Sequence, residues 1–228
     1  MNYYFLLEDE KSFMKVLPEW LKYMGVNNSR VQDITYLTEN CYVMQSGQGV
    51  TQLISKVLFE TIETIACNPG KVDELIVIVD SEEYDEATRK SEVISRIEEY
   101  IKEKQIVADF TYRVFVCNHC FETWLLGNRM LYPDSRPDDS FQEYYEAYNV
   151  KLDDPEKMIV PDGIKETTAV FHFHYLHEMF RHNKIRYTKR NPMYAAKKEY
   201  FIQLVNRVKE TKHLRSFFDF FCYFNKMS

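Results

Sequence analysis

Leu75-Ile76-Val77-Ile78-Val79-Asp80 (LIVIVD) decides how this chain is read. Five consecutive aliphatic residues, four of them β-branched, predict a strand covered on both faces, as at the centre of a parallel sheet, and Asp80 ends it. Upstream, Asn2 to Leu7 (NYYFLL) predicts a second buried strand. Phe13, Val16, Leu17, Trp20, Leu21 and Met24 then recur at helical spacing, with Gly25 as the stop and Pro18 as a point of bending. A further strand region is expected over Ile34 to Leu37, with Tyr42 to Met44. The turn Ser46-Gly47-Gln48-Gly49 follows and enters a helix carrying Leu53, Ile54, Val57, Leu58, Ile62 and Ile65. Downstream, Glu86 to Lys104 is an amphipathic helix, Thr111 to Val116 a strand, and Phe121 to Leu126 helical.

Strands alternating with amphipathic helices predict an α/β fold, a parallel sheet flanked by helices. Pro133 to Asp162, rich in Asp and Pro, reads as a surface excursion with one short aromatic helix over Phe141 to Tyr148, and the chain reads as helical from about Thr167 onward. Residues 1–131 form the predicted α/β unit, and 132–228 an acidic connecting segment with a basic helical extension.

Composition bounds the function. At 228 residues with 45% hydrophobic content, the chain can bury a core without cross-links. Its five cysteines are an odd number suited to reduced thiols, which with the lack of a signal-like N-terminus points to the cytoplasm. No window is apolar for long enough to span a membrane. The net charge of −6 conceals a dipole: residues 1–180 carry 17 basic against 32 acidic side chains, whereas 181–228 carry 12 against three. Such asymmetry fits either a polyanionic partner or basic helices docked on an acidic body.

In an open parallel sheet, sites form beyond the carboxyl ends of the strands. Here those ends are acidic three times: Glu8 to Glu10, Asp80 to Glu83, and Glu122. Each cluster alone could simply cap a helix. Three together predict a site where repulsion among carboxylates is relieved by a hard divalent cation.

A response-regulator receiver would need an Asp some forty-odd residues after its first acidic cluster, and Val50 to Phe59 contains none. The ordered motifs instead resemble the Toprim domain. Glu8 follows the first strand, and Asp80-Ser81-Glu82 follows a later hydrophobic strand in the manner of Asp-x-Asp, with Glu in the last place. Ser46-Gly47-Gln48-Gly49 resembles the glycine turn of OLD-type nucleases. Asn118 to Leu126 (NHCFETWLL) resembles a segment of small RloB-like Toprim proteins of bacterial defence systems. Asp9 stands where that family commonly has Gly, and Ser12 where it often has an acid. The resemblance covers roughly residues 1–131. It implies a Mg2+- or Mn2+-dependent nuclease acting on DNA or RNA in antiviral defence: Asp80 and Glu82 hold the ion, Glu8 holds a second ion or serves as general base, and Glu122 completes the shell. The alternative is a catalytically inactive module docking a partner such as an ATPase subunit. A homo-oligomer is compatible with either.

Zinc is disfavoured at Cys117-Asn118-His119-Cys120, which has no second pair, and at His177 to His182, which is one residue too long for the helical zincin spacing. For nucleic acid, the candidates are Arg186, Tyr187, Lys189, Arg190, Lys197, Lys198, His213 and Arg215, cations interleaved with aromatics.

Overall fold

The computed structural model describes residues 1–9 and 11–225. Its elements are β1 (Tyr3–Leu7), α1 (Phe13–Tyr23), β2 (Ser29–Arg30), β3 (Cys41–Ser46), α2 (Val50–Gln52), α3 (Leu58–Ala66), β4 (Glu74–Asp80), α4 (Glu86–Glu103), β5 (Thr111–Cys117), α5 (Phe121–Leu125), α6 (Gln142–Ala147), α7 (Thr168–His182), α8 (Lys198–Thr211) and α9 (Arg215–Asn225). A π-helical stretch (Leu53–Val57) joins α2 to α3.

The sheet is parallel throughout, in the order β2-β3-β1-β4-β5. LIVIV lies inside it as anticipated, between β1 and β5. Side-chain alternation divides the core into two layers. Tyr3, Phe5, Leu7, Ile76, Ile78, Phe115 and Cys117 face α1, α5, α7, α8 and α9. Leu6, Val43, Leu75, Val77, Val79 and Val116 face the helices of 50–66 and α4. By the same alternation Asp80 lies on the face of Ile76 and Ile78, and Cys117 is its register partner on β5. The sheet thus aims the end of β4 toward the C-terminal helices.

Three local expectations are corrected. Ile34–Tyr36 is a 3-10 turn and not a strand; Asp33 caps it by accepting from the Thr35 N–H at 2.8 Å, while Ile34 and Leu37 are buried as anchors. The strand is Cys41–Ser46, which pairs with β1 from Tyr3↔Tyr42 to Leu7↔Ser46. Residues 133–162 are more than a surface excursion, because Phe141, Val150 and Met158 are fully buried in the layer that packs on β1. Beyond Thr167 the helices are interrupted between α7 and α8, where Thr188 and Asn191 form an isolated bridge.

The glycine turn has a steric reason. A Cβ on Gly47 would lie 2.6 Å from Leu53, and Gly49 has φ +91°, in the region that glycine occupies at least cost.

Candidate active site

Because β1, β4 and β5 are neighbours, the residues just past their carboxyl ends must converge. Glu8 follows β1, and its N–H donates to the Ile78 carbonyl at 3.1 Å. One oxygen of its carboxylate, Oε2, accepts from the Asp80 N–H at 2.7 Å. Glu122 lies in the first turn of α5 and is buried. Glu8, Asp9, Asp80 and Glu122 line one cavity of about 70 Å3, floored by Phe13, Ile78, Cys117 and Phe121. Among the described residues Lys189 is the only cation lining it. Its Nζ lies 3.7 Å from Glu122 Oε1, and the buried Tyr187 hydroxyl donates to the same oxygen at 3.4 Å. Asp9 and Lys189 also border an outer groove of about 500 Å3, completed by Lys11, Gln48 and Gly49.

Burial first, and the neighbouring carboxylates second, raise the pKa values of Glu8, Asp80 and Glu122. Burial, reinforced by Glu82 and Asp9, pushes Glu8 up to about 7 against the opposing pull of the Asp80 N–H and Arg89. Burial followed by Glu8 and Glu122 drives Asp80 well above the carboxylate range. Glu122 is raised by burial while Lys189 opposes the shift. For Lys189 burial acts downward, but Glu122, Cys120, Asp80 and Asp9 together raise it.

These directions fix a pH dependence. A carboxyl whose folded pKa lies above its unfolded value contributes stability below the unfolded pKa and loses it as pH climbs through the folded one. In EDTA, Glu8 and Glu156 should therefore withdraw stability between about pH 4.5 and about pH 7, while the buried His172, lowered to about 3, works in the opposite sense over the same range. Thermal melts of wild type and Glu8→Gln across that range isolate the cluster's share; a wild type that gains stability relative to Glu8→Gln as pH rises would contradict the acid cluster described here.

The sequence candidates do not all gather. Glu82 has a left-handed backbone (φ 53°) and turns its half-exposed carboxylate to Arg89 at 3.8 Å, outside the ring of cavity residues. Opposite it His119 is also left-handed (φ 61°). The Glu82 N–H donates to the His119 carbonyl at 2.9 Å, and the His119 N–H to Ser81 Oγ at 2.8 Å. Paired left-handed residues carry strain that the surroundings must hold, and these hydrogen bonds hold it at the rim of the site. Glu10, part of the first acidic cluster, lies outside the described residues. Asp9 accepts from Ser12 Oγ at 2.7 Å and from the Phe13 N–H at 3.2 Å, so it secures the start of α1 as well as lining the cavity.

Among the basic candidates, Arg186, Lys189 and Arg190 are exposed on one loop. Lys15 Nζ ties that loop to α1 by donating to the Arg190 carbonyl at 2.5 Å. Tyr187 is buried and stacks on Phe180 with centroids 4.8 Å apart, so it belongs to the core. Lys197 and Lys198 are exposed where α8 begins; His213 and Arg215 lie past its far end, about 20 Å away at 1.5 Å per residue. There Arg215 pairs with Asp219 at 3.1 Å, and His213 Nδ1 lies 3.0 Å from the Arg207 guanidinium. The eight residues do not form a single patch.

Lys189 and Cys117, with the apolar Phe13, Ile78 and Phe121, are cavity residues that the sequence pattern does not place there. No local signal could bring Lys189 in, since 65 residues separate the adjacent Tyr187 from Glu122, a distance closed by the packing of α7 and α8 on α5.

The cavity walls offer carboxylate oxygens, the donors preferred by Mg2+ and Mn2+. Among the described residues no three His, Cys, Asp or Glu side chains are gathered at metal-ligating separation; the acids share a cavity without being drawn onto one point. No helix among those residues is long and apolar enough to cross a membrane. No family model, curated protein or solved structure matches the chain.

Proposed function

We propose that this protein is a divalent-metal-dependent nuclease that hydrolyses phosphodiester bonds in DNA or RNA. The observation that carries the reading is the convergence of Glu8, Asp80 and Glu122 from three adjacent strand ends into one cavity. Acids whose pKa values are raised by desolvation and by one another form a site where a divalent cation relieves the repulsion. Glu8 and Asp80 would hold the ion, with Glu122 behind them and Glu82 reaching it from the rim once released from Arg89. When bound, the metal supplies Lewis-acid stabilisation of a phosphate. The chain itself contributes the rest. Glu8 keeps Oε2 on the Asp80 N–H, which leaves Oε1 either to ligate the ion or, in place of that, to accept a water proton. Lys11 and Lys189 line the outer groove, where a phosphate would enter. The order of motifs that resembles a Toprim domain supports the same reading.

The test is incubation of purified protein with labelled single- and double-stranded DNA and RNA, in Mg2+, Mn2+ or EDTA. Cleavage confined to the metal-containing reactions is expected. A docking module for a partner such as an ATPase subunit predicts none, and no thermal shift on adding either ion.

A further inference from the structure

We propose that Lys189 is the resident counter-cation of the acid cavity, and that its ammonium and a divalent ion occupy that cavity alternately. The inference rests on the metal-dependent reading above and names what controls loading of the site. Lys189 Nζ stands 3.7 Å from a carboxylate whose side chain is only 2% exposed, so the deepest acid already has a positive partner. Its attraction extends to Asp80 and Asp9 on the other walls. The side chain is nevertheless 45% exposed and lines the outer groove as well as the cavity. It can therefore withdraw to solvent without unpacking the core. The backbone is fixed where this movement needs a pivot: Thr188 and Asn191 bridge to each other, and Lys15 holds the Arg190 carbonyl. A second cation entering a cavity of about 70 Å3 meets the ammonium at close range, and like charges so near exclude each other. Binding one must weaken the other by the same factor. The lysine thus raises the metal concentration at which the site loads.

The experiment compares wild type, Lys189→Met and Lys189→Arg by thermal melting at pH 8, first in EDTA and then in a Mn2+ titration. In EDTA, Lys189→Met should melt below wild type because the acids have lost their partner. Its half-saturating Mn2+ concentration should fall about tenfold, the effect expected of removing one charge within a few ångströms. Lys189→Arg keeps the charge and should stay near wild type in both. Unchanged melting in EDTA, or Mn2+ saturation of Lys189→Met at the same or a higher concentration, would overturn the counter-cation role while leaving the metal site standing. No Mn2+ response in any of the three proteins would overturn the metal reading and this inference together.

Discussion

Asp80→Asn should abolish metal-dependent cleavage, by at least about three orders of magnitude, and at the same time raise the melting temperature of the protein in EDTA. The two effects have one cause. Asp80 is held well above its ordinary pKa by burial and by Glu8 and Glu122, so its ionised form opposes folding at neutral pH. Asparagine removes the charge with little change of shape. The Glu8 contact survives, because Glu8 binds the Asp80 backbone N–H and not its side chain. Relief of the repulsion should grow as pH rises above the ordinary carboxylate range, and it should vanish in saturating Mn2+, where wild type gains the ion and the variant does not. Parallel melts and cleavage assays check this. A variant that lost activity and stability together would show that Asp80 serves the fold, and one that kept full activity would remove it from the ligand set.

Arg207→Met should cost about 3 kcal/mol or more of stability, read as a lower urea midpoint with unchanged slope. The Arg207 side chain is fully buried. Its guanidinium donates to the Val150 carbonyl at 2.6 Å, the Asp153 carbonyl at 2.7 Å and the Gly127 carbonyl at 3.4 Å. Methionine fills similar volume but leaves these acceptors without a donor. Burial, with Arg129 nearby, already lowers the Arg207 pKa to about 10, so part of the loss is offset by no longer burying a charge. An Arg207→Lys variant should also fall short of the wild-type midpoint, since an ammonium cannot span three carbonyls in the plane of a fork. A midpoint for Arg207→Met within experimental error of wild type would refute the structural role.

That arginine also marks where sequence reasoning stops. In the linear chain Arg207 lies among Lys197, Lys198, Lys209 and Lys212 and looks like one more cation of a basic face; three-dimensional packing turns it inward to join α8 to residues 127–153. The strands were legible because continuous aliphatic runs such as LIVIV have few other uses. The meeting of Glu8 with Asp80 followed from adjacent strands ending at one edge. Ile34 and Leu37 misled because two apolar anchors of a 3-10 turn resemble a short strand. The Asp- and Pro-rich stretch misleads because composition averages over 30 residues, while side chains such as Phe141, Val150 and Met158 suffice to anchor it in the core. The linear sequence shows Lys189 as a cation but not as a neighbour of Glu122, a relation set by long-range topology.

The aromatic lining of α9 bears on how the molecule comes into being. Phe224 contacts the rings of Tyr3 and Phe5, and Phe220 contacts Phe13 and Phe115, so the first strand waits for α9. During translation the early α/β segment emerges with one greasy side uncovered, and chaperone capture or aggregation competes with folding until residue 224 has been synthesised. Any hydrolytic capacity would accordingly await the arrival of α9, once the nascent polypeptide can close upon itself.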